Sequence, residues 1–455
     1  MDIVSLLACF QPLVSAVTIR RLAIIIPAIL TMTGRVTMLG ISRWTDKGGS
    51  YRTIQRFFAT DLAWMELLVK FFETHLFDLF GEWIFAGDAT TVTKSGHRTH
   101  GIGHFFSGIL SKVVKGIEFF VFSLVNVRER KSYPLLVKQT IRSEAEKAAI
   151  KERKAKQAKK SKKTKKKKRK PLGRQKGSLN KDKNELKLSA ELLRINELLA
   201  KLVKLVRKFV VVNYLALDGH FGHNQAVLMA RANKLHLISK LRKDAALYEK
   251  YEGTYSGKGR RTKYGRKLNY ENLPQKYWKK GQREGEVIIN YYQGIFLHKE
   301  FGCELNAVII ERIKIGSGQI GHAILFSSDL ELGWEKLIDY YSLRFQIEFN
   351  FRDAKQHFGL EDFMNTTEKG VENAANMAFL MVLLSAKLIK NSDQKCVGVL
   401  DLKTHYRGVK YVVEAIKILL EKPETILMKE AIEEVKERIS KLGSIHQRKV
   451  AISTA

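Results

Sequence analysis

The sequence predicts an α/β fold, a mixed sheet flanked by helices, with a helical N-terminal domain and a β-rich insertion. Three observations lead there. Apolar residues recur every three or four positions over residues 1 to about 80, the spacing of amphipathic helices. From Trp83 the chain changes to short runs rich in β-branched and aromatic residues and bounded by glycine, the pattern of strands. Further on, FVVVNYLALDG is an unbroken apolar run, as expected of a strand inside a mixed sheet.

A chain of 455 residues has room for two or three domains. Its 80 Lys and Arg against 46 Asp and Glu give a formal charge of +34, a balance suited to a polyanion such as nucleic acid. The stretch KQAKKSKKTKKKKRK, residues 156 to 170, carries 11 basic residues, which leaves +23 over the rest. The basicity is therefore general. Cys9, Cys303 and Cys396 lie far apart, without zinc-site spacing or the even count of a disulfide framework, which fits a reducing compartment. The apolar run Leu22 to Met32 is too short to span a bilayer and contains Pro27, so no membrane segment is expected.

In order along the chain, RVTMLGISRW and YRTIQRFFA, separated by the turn residues DKGGS, outline a helix-turn-helix over 35–60, with Ser50 as the N-cap of the second helix. That helix buries Ile54, Phe57 and Phe58 and presents Arg52 and Arg56, which would reach DNA; an ordinary amphipathic helix pair fits the same pattern. EWIFAGDATTV, GHFFSGILSKVV and GIEFFVFSLVNV read as three consecutive antiparallel strands. Helical sequence is expected from Pro134 and again from about Asn184 to Lys208, around a lysine-rich disordered loop at about 151–183. That loop either holds phosphates nonspecifically or is simply solvated. A helix near Asn224 to Asn233, a strand LHLISKLR, a β-rich insertion over 243–321, a strand HAILFSSD, one long helix over about Leu332 to Phe358 and a helical region to 455 complete the reading.

Three acids stand out. Asp88 and Asp218 close apolar strands, next to the core, where an unpaired carboxylate is costly unless it meets a cation or hydrogen-bond donors. Glu348 lies on the long helix. Three hard oxygen donors suit Mg²⁺, and a pair of such ions can activate water and stabilise the leaving oxygen of a phosphodiester. Each Asp taken singly is as well explained as a turn or cap. The helix decides. In YSLRFQIEFNFRDAKQ, Tyr341, Arg344, Glu348 and Lys355 are spaced three, four and seven apart, so one helical stripe carries all four. A carboxylate among groups that bind phosphate is a sensible nuclease arrangement. His220 and His223 after Asp218, and His97, His100 and His104 after Asp88, lack the cysteines of a zinc site.

This Tyr-Arg-Glu-Lys spacing within RFQIEFNFRDAKQHFGL closely resembles the signature of bacterial insertion-sequence transposases of the "insertion sequence four" clan, in the DDE superfamily; GDATTV and LALDGHFG resemble that clan's two aspartate motifs. The resemblance covers about residues 80 to 395. It implies a ribonuclease H-like, retroviral-integrase-like catalytic domain over 81–242 and 322–395; outside it, the residues themselves suggest a helical DNA-binding domain over 1–80 and a helical region over 396–455. Asp88, Asp218 and Glu348 would be the catalytic metal ligands, holding two Mg²⁺ ions with Mn²⁺ as a substitute, and Tyr341, Arg344 and Lys355 would contact DNA. The implied reaction is cut-and-paste transposition: hydrolysis at the element's terminal inverted repeats, then joining to target DNA, by a homodimer on paired ends in the bacterial cytoplasm. The alternative is a catalytically silent, domesticated relative that only binds DNA.

Overall fold

The computed structural model describes residues 2–45, 48–108, 110–161, 182–255, 257, 261–392, 397–419, 430, 432 and 433. The chain opens with five helices, α1 (Ile3–Leu7), α2 (Ala16–Thr31), α3 (Met38–Trp44), α4 (Tyr51–Phe58) and α5 (Trp64–His75). Ser15, Thr37 and Ser50 cap α2, α3 and α4 by accepting the N–H of Thr18, Gly40 and Thr53, satisfying donors that a helix leaves unpaired at its start. The apolar run from Leu22 is the buried face of α2, with Leu22, Ile25, Ile26, Ile29 and Leu30 in the core. The expected helix pair is present as α3 and α4, with Ile54, Phe57 and Phe58 buried and Arg52 and Arg56 exposed.

Next come β1 (Trp83–Thr93), β2 (Gly103–Ser107), β3 (Lys112–Asn126) and β4 (Lys131–Gln139), then α6 (Glu144–Ser161) and α7 (Ala190–Val206). Two parallel strands, β5 (Tyr214–Leu217) and β6 (His236–Leu241), enclose α8 (Asn224–Ala232). Six more strands follow: β7 (Leu247–Lys250), β8 (Tyr264–Lys267), β9 (Trp278–Glu284), β10 (Val287–His298), β11 (Glu304–Lys314) and β12 (Ile320–Ser327). The chain then forms α9 (Trp334–Leu343), α10 (Gln346–Gln356), α11 (Glu368–Lys390) and α12 (Val399–Leu419).

One mixed sheet contains all these strands. Its first part runs β4-β3-β1 antiparallel, then β1-β5-β6 parallel, the ribonuclease H-like order, with β2 sharing the outer edge of β3. The expected insertion does not form a sheet of its own. β12 pairs with β6, and β11, β10 and the short strands β7, β8 and β9 continue outward from it.

Four local expectations are corrected. Pro134 starts no helix: it lies in β4, beside the irregularity where Phe122 pairs with Leu136 and Ser123 with Pro134. A proline without an N–H is tolerated in an edge strand at such a bulge. The lysine-rich loop does not begin at 151, because α6 runs to Ser161; the poly-lysine core of that loop lies outside the described residues. The strand before Asp218 is shorter than its apolar run, only Tyr214–Leu217. The long helix is two helices, broken at Arg344 and Phe345.

The break has a packing cause. Leu337, Tyr340 and Leu343 of α9 pack with Ile84, Ala86, Val125, Ala216 and Ile238, whereas Ile347, Phe351 and Ala354 of α10 join the larger core. Successive residues of β1 face opposite sides of the sheet, so Phe85 serves that larger core while its neighbours Ile84 and Ala86 serve α9. A straight helix could not supply both clusters. Among the described residues, α11 is the one helix long and apolar enough to cross a membrane, and 83% of its apolar window is buried inside the fold. It is tied there by Asn373, whose Oδ1 accepts the Trp64 indole N–H at 2.6 Å and whose Nδ2 donates to the carbonyls of Phe58 and Thr60. α12 packs on α2, where Lys403 Nζ donates to the Ile29 carbonyl and Arg407 Nε to that of Thr31.

Candidate active site

The sheet register brings the two aspartates together. Phe85, Ala86 and Gly87 of β1 stand opposite Leu215, Ala216 and Leu217 of β5, so Asp88 and Asp218 are the next residues after the last pair of the two neighbouring strands. Both fall two residues past a member of the α9 cluster, Ala86 and Ala216, and so continue that face. The expectation that Asp88 ends its strand needs adjusting: β1 continues to Thr93 against β3, and Asp88 sits where the parallel pairing with β5 stops. Gly87 makes the approach possible, since a Cβ there would lie 2.8 Å from Phe122 and 2.9 Å from Leu217.

Beyond β5 the chain turns sharply. Asp218 caps a single 3-10 turn, Gly219–Phe221, by accepting the His220 N–H at 3.1 Å, and its carbonyl accepts the Ser239 hydroxyl of β6 at 2.7 Å. Gly222 completes the turn where a Cβ would overlap the Lys240 carbonyl.

Asp88 is partly buried. Its Oδ1 accepts the Ala89 N–H at 2.8 Å and its Oδ2 accepts Arg344 Nη1 at 2.7 Å. Its carboxyl is pushed up to about 6: burial raises it most, Arg344 and the Ala89 N–H lower it, and the charges of Asp218 and Glu348 raise it again. The three acids therefore feel one another electrostatically. Glu348 itself is exposed, on the first turn of α10. Arg344 lies at the helix break, its guanidinium 5.9 Å from the Tyr341 ring, and its Nε is buried without a hydrogen-bond partner. The Tyr341 hydroxyl is raised by burial, eased by Arg344 and raised again by Asp218 and Asp88. Tyr341, Arg344 and Glu348 thus gather around the aspartates, through a kink rather than along one straight stripe.

Lys355 points elsewhere. Its Nζ donates to the Thr91 carbonyl of β1 at 2.9 Å and lies 3.5 Å from Glu361. Arg52 and Arg56 are exposed on α4, which packs on α2, α3 and α11.

The donor set fits a divalent cation in chemistry. Asp88, Asp218 and Glu348 are hard oxygen donors, and the Asp88 carboxyl, raised first by burial and then by the charges of the other two, is one that a cation would stabilise in its ionised form. As placed, however, no three His, Cys, Asp or Glu side chains among the described residues stand close enough to share one ion, and Arg344 occupies Asp88.

One pair went unnoticed in the sequence. Glu191, in the first turn of α7 behind its Ser189 cap, lies 3.4 Å from His220 Nε2, and this contact lowers the glutamate and raises the histidine. The signal was a cap followed by an acid, together with a histidine two residues after Asp218.

A family model described as DDE superfamily endonuclease matches residues 9–286, more than half of the chain, and one described as Transposase DDE domain matches residues 194–384. The first contains Asp88 and Asp218; the second contains Asp218, Tyr341, Arg344, Glu348 and Lys355. No curated protein matches the chain. With the ribonuclease H-like sheet and the paired strand aspartates, these matches agree on one conclusion: the chain belongs to the DDE superfamily endonucleases, as a DDE transposase.

Proposed function

We propose that this transposase moves its element by cutting and pasting, with Asp88, Asp218 and Glu348 as the ligands of two Mg²⁺ ions. The observation that carries the reading is the register of β1 and β5, which sets Asp88 beside Asp218 on the face to which α9 delivers Arg344 and, one turn later, Glu348. Divalent ions held there would activate water, later the freed 3′-hydroxyl, and stabilise the leaving oxygen of each in-line displacement.

The remaining roles follow from this chain's own groups. Asp88 is ionised above about pH 6 and so is available as a ligand at neutral pH. Arg344 holds Asp88 in the free protein and, with its buried Nε already unpartnered, passes to a phosphate oxygen of bound DNA, with Tyr341 beside it. Lys355 gives one of its three N–H donors to the Thr91 carbonyl, so it holds the end of β1 and keeps a donor for a DNA phosphate. Arg52 and Arg56, in an N-terminal DNA-binding domain over 1–80, would contact the terminal repeats, and two copies would act on paired ends in the cytoplasm.

The test is Mg²⁺-dependent cleavage of the element's own terminal repeats by the full chain. Asp88→Asn, Asp218→Asn and Glu348→Gln each abolish cleavage while leaving duplex binding intact. Wild-type rates from any of the three would remove that residue from the site.

A further inference from the structure

The buried face of α10 is apolar but for one residue. Ile347, Phe351 and Ala354 pack into the core, and Asn350 is buried among them at 5% exposure. Its Nδ2 donates to the Ser132 hydroxyl of β4 at 2.9 Å and lies 3.4 Å from the Ser123 hydroxyl of β3. Both serines are themselves buried. An amide in such a seam is costly unless paired, and three apolar side chains would close the same seam at little cost.

The bond reaches the face of the sheet that carries the aspartates. Ser123 stands opposite Ala86 of β1, and Ser132 stands opposite Val125 of β3. Ala86 and Val125 belong to the cluster under α9, and residues directly opposed in an antiparallel pair share a face, so both serines lie on that side. Asp88, two residues past Ala86, continues the same face. The irregularity between Phe122 and Ser123 falls at this contact, and such bulges re-aim the side chains beside them.

Packing alone does not fix α10 here. A cavity of about 190 Å³ lies beside the contact, lined by Gln346, Phe349, Asn350 and Asp353 of α10 and by Ser132 and Val382 across from them. Apolar burial is non-directional, so next to a gap it leaves a helix room to slide or turn. A hydrogen bond is directional and does not. We propose that Asn350 is a positioning residue: through Ser132 and Ser123 it sets where Glu348, two residues earlier on the same helix, stands relative to Asp88 and Asp218. The proposal rests on Glu348 as a metal ligand.

The experiment measures Mn²⁺ binding to the full chain without DNA, from the electron paramagnetic resonance signal of the free ion. Asn350→Leu keeps the volume and removes the bonds. It should weaken Mn²⁺ binding about ten-fold, as loss of a group that orients a metal ligand does, and leave duplex affinity unchanged. In a Glu348→Gln background the same substitution should weaken binding no further, because an effect passed through Glu348 then has nothing to act on. A general loosening of the fold would weaken both backgrounds alike. Ser132→Ala is the smaller change and decides the matter if the leucine variant does not fold; it should weaken binding about three-fold, again only with Glu348 present. Wild-type affinity in either folded variant, or equal losses in both backgrounds, overturns the positioning role while leaving the ligand in place. If the wild-type chain binds no Mn²⁺, or Glu348→Gln alone binds it as wild type does, the metal role of Glu348 falls and the positioning role with it.

Discussion

Arg344 Nη1 lies 2.7 Å from Asp88 Oδ2, and both side chains are largely buried, at 16% and 19% exposure. This pair docks the helix break onto the middle of β1. The guanidinium does not fully compensate the carboxylate: burial and the charges of Asp218 and Glu348 still leave Asp88 at about 6. Burial is the largest part of that rise.

Asp88→Asn should therefore stabilise the metal-free protein at neutral pH. The folded carboxyl titrates above its ordinary value, so its ionisation costs stability as pH rises from about 4 through about 6, and that cost is complete above the range. Removing it is worth on the order of 3 kcal/mol at about pH 7.5 and close to nothing at about pH 2.5, where the carboxyl is neutral in both states. Thermal melts in chelator measure this. Added Mg²⁺ should then raise the wild-type Tm and leave that of the variant unmoved. A variant less stable than wild type in chelator at pH 7.5 contradicts the electrostatics described here.

Lys355→Met separates a structural lysine from a phosphate contact. The substitution leaves the Thr91 carbonyl unpaired and breaks the approach to Glu361, costing about 1–3 kcal/mol. The slope of log duplex affinity against log salt should also fall by about one, the loss of one phosphate contact. An unchanged slope would instead show that Lys355 only holds β1.

At Gly87 the expected effect is steric. Gly87→Ala forces a methyl against Phe122 and Leu217, both in the core, at a cost of about 1–3 kcal/mol, and displaces β1 from β5. Cleavage should fall more than DNA binding does, because Asp88 is the next residue. An alanine variant with wild-type Tm and cleavage would show that the aspartates tolerate a looser register.

Arg52→Ala combined with Arg56→Ala should weaken duplex binding and lower the slope of log affinity against log salt by about two. An unchanged slope would make α4 an ordinary packed helix, the other reading of its pattern.

Much of this was legible beforehand because it depended on local pattern. The helical N-terminal region, the Ser50 cap of α4, strands β1 and β6 and the order of the three acids all follow from periodicity, one cap and apolar runs. What escaped depended on partners distant in sequence. PLLV reads as the start of a helix at Pro134 because a bulge opposite Ser123 cannot be seen from one strand. The helix break at Arg344 was hidden because RFQIEF keeps helical spacing throughout; only the two separate apolar clusters demand the kink. The strands after Leu247 alternate as any strand does, and nothing local says that they extend the central sheet through β12 and β6. Lys355 sits at the expected place in the signature, yet its partner Thr91 lies 264 positions away.

The lysine on α12 has a consequence for how the molecule is made. Lys403 Nζ satisfies the Ile29 carbonyl across 374 positions of sequence, and Arg407 does the same for Thr31 across 376. During synthesis the N-terminal helices must wait for those partners on the order of half a minute at ordinary translation rates. Throughout that interval α2 has an unfinished end and an apolar face not yet covered by α12. The slow step in maturation should accordingly be the docking of the late helix onto the early ones, and a chaperone that holds nascent apolar helices would find its binding site there.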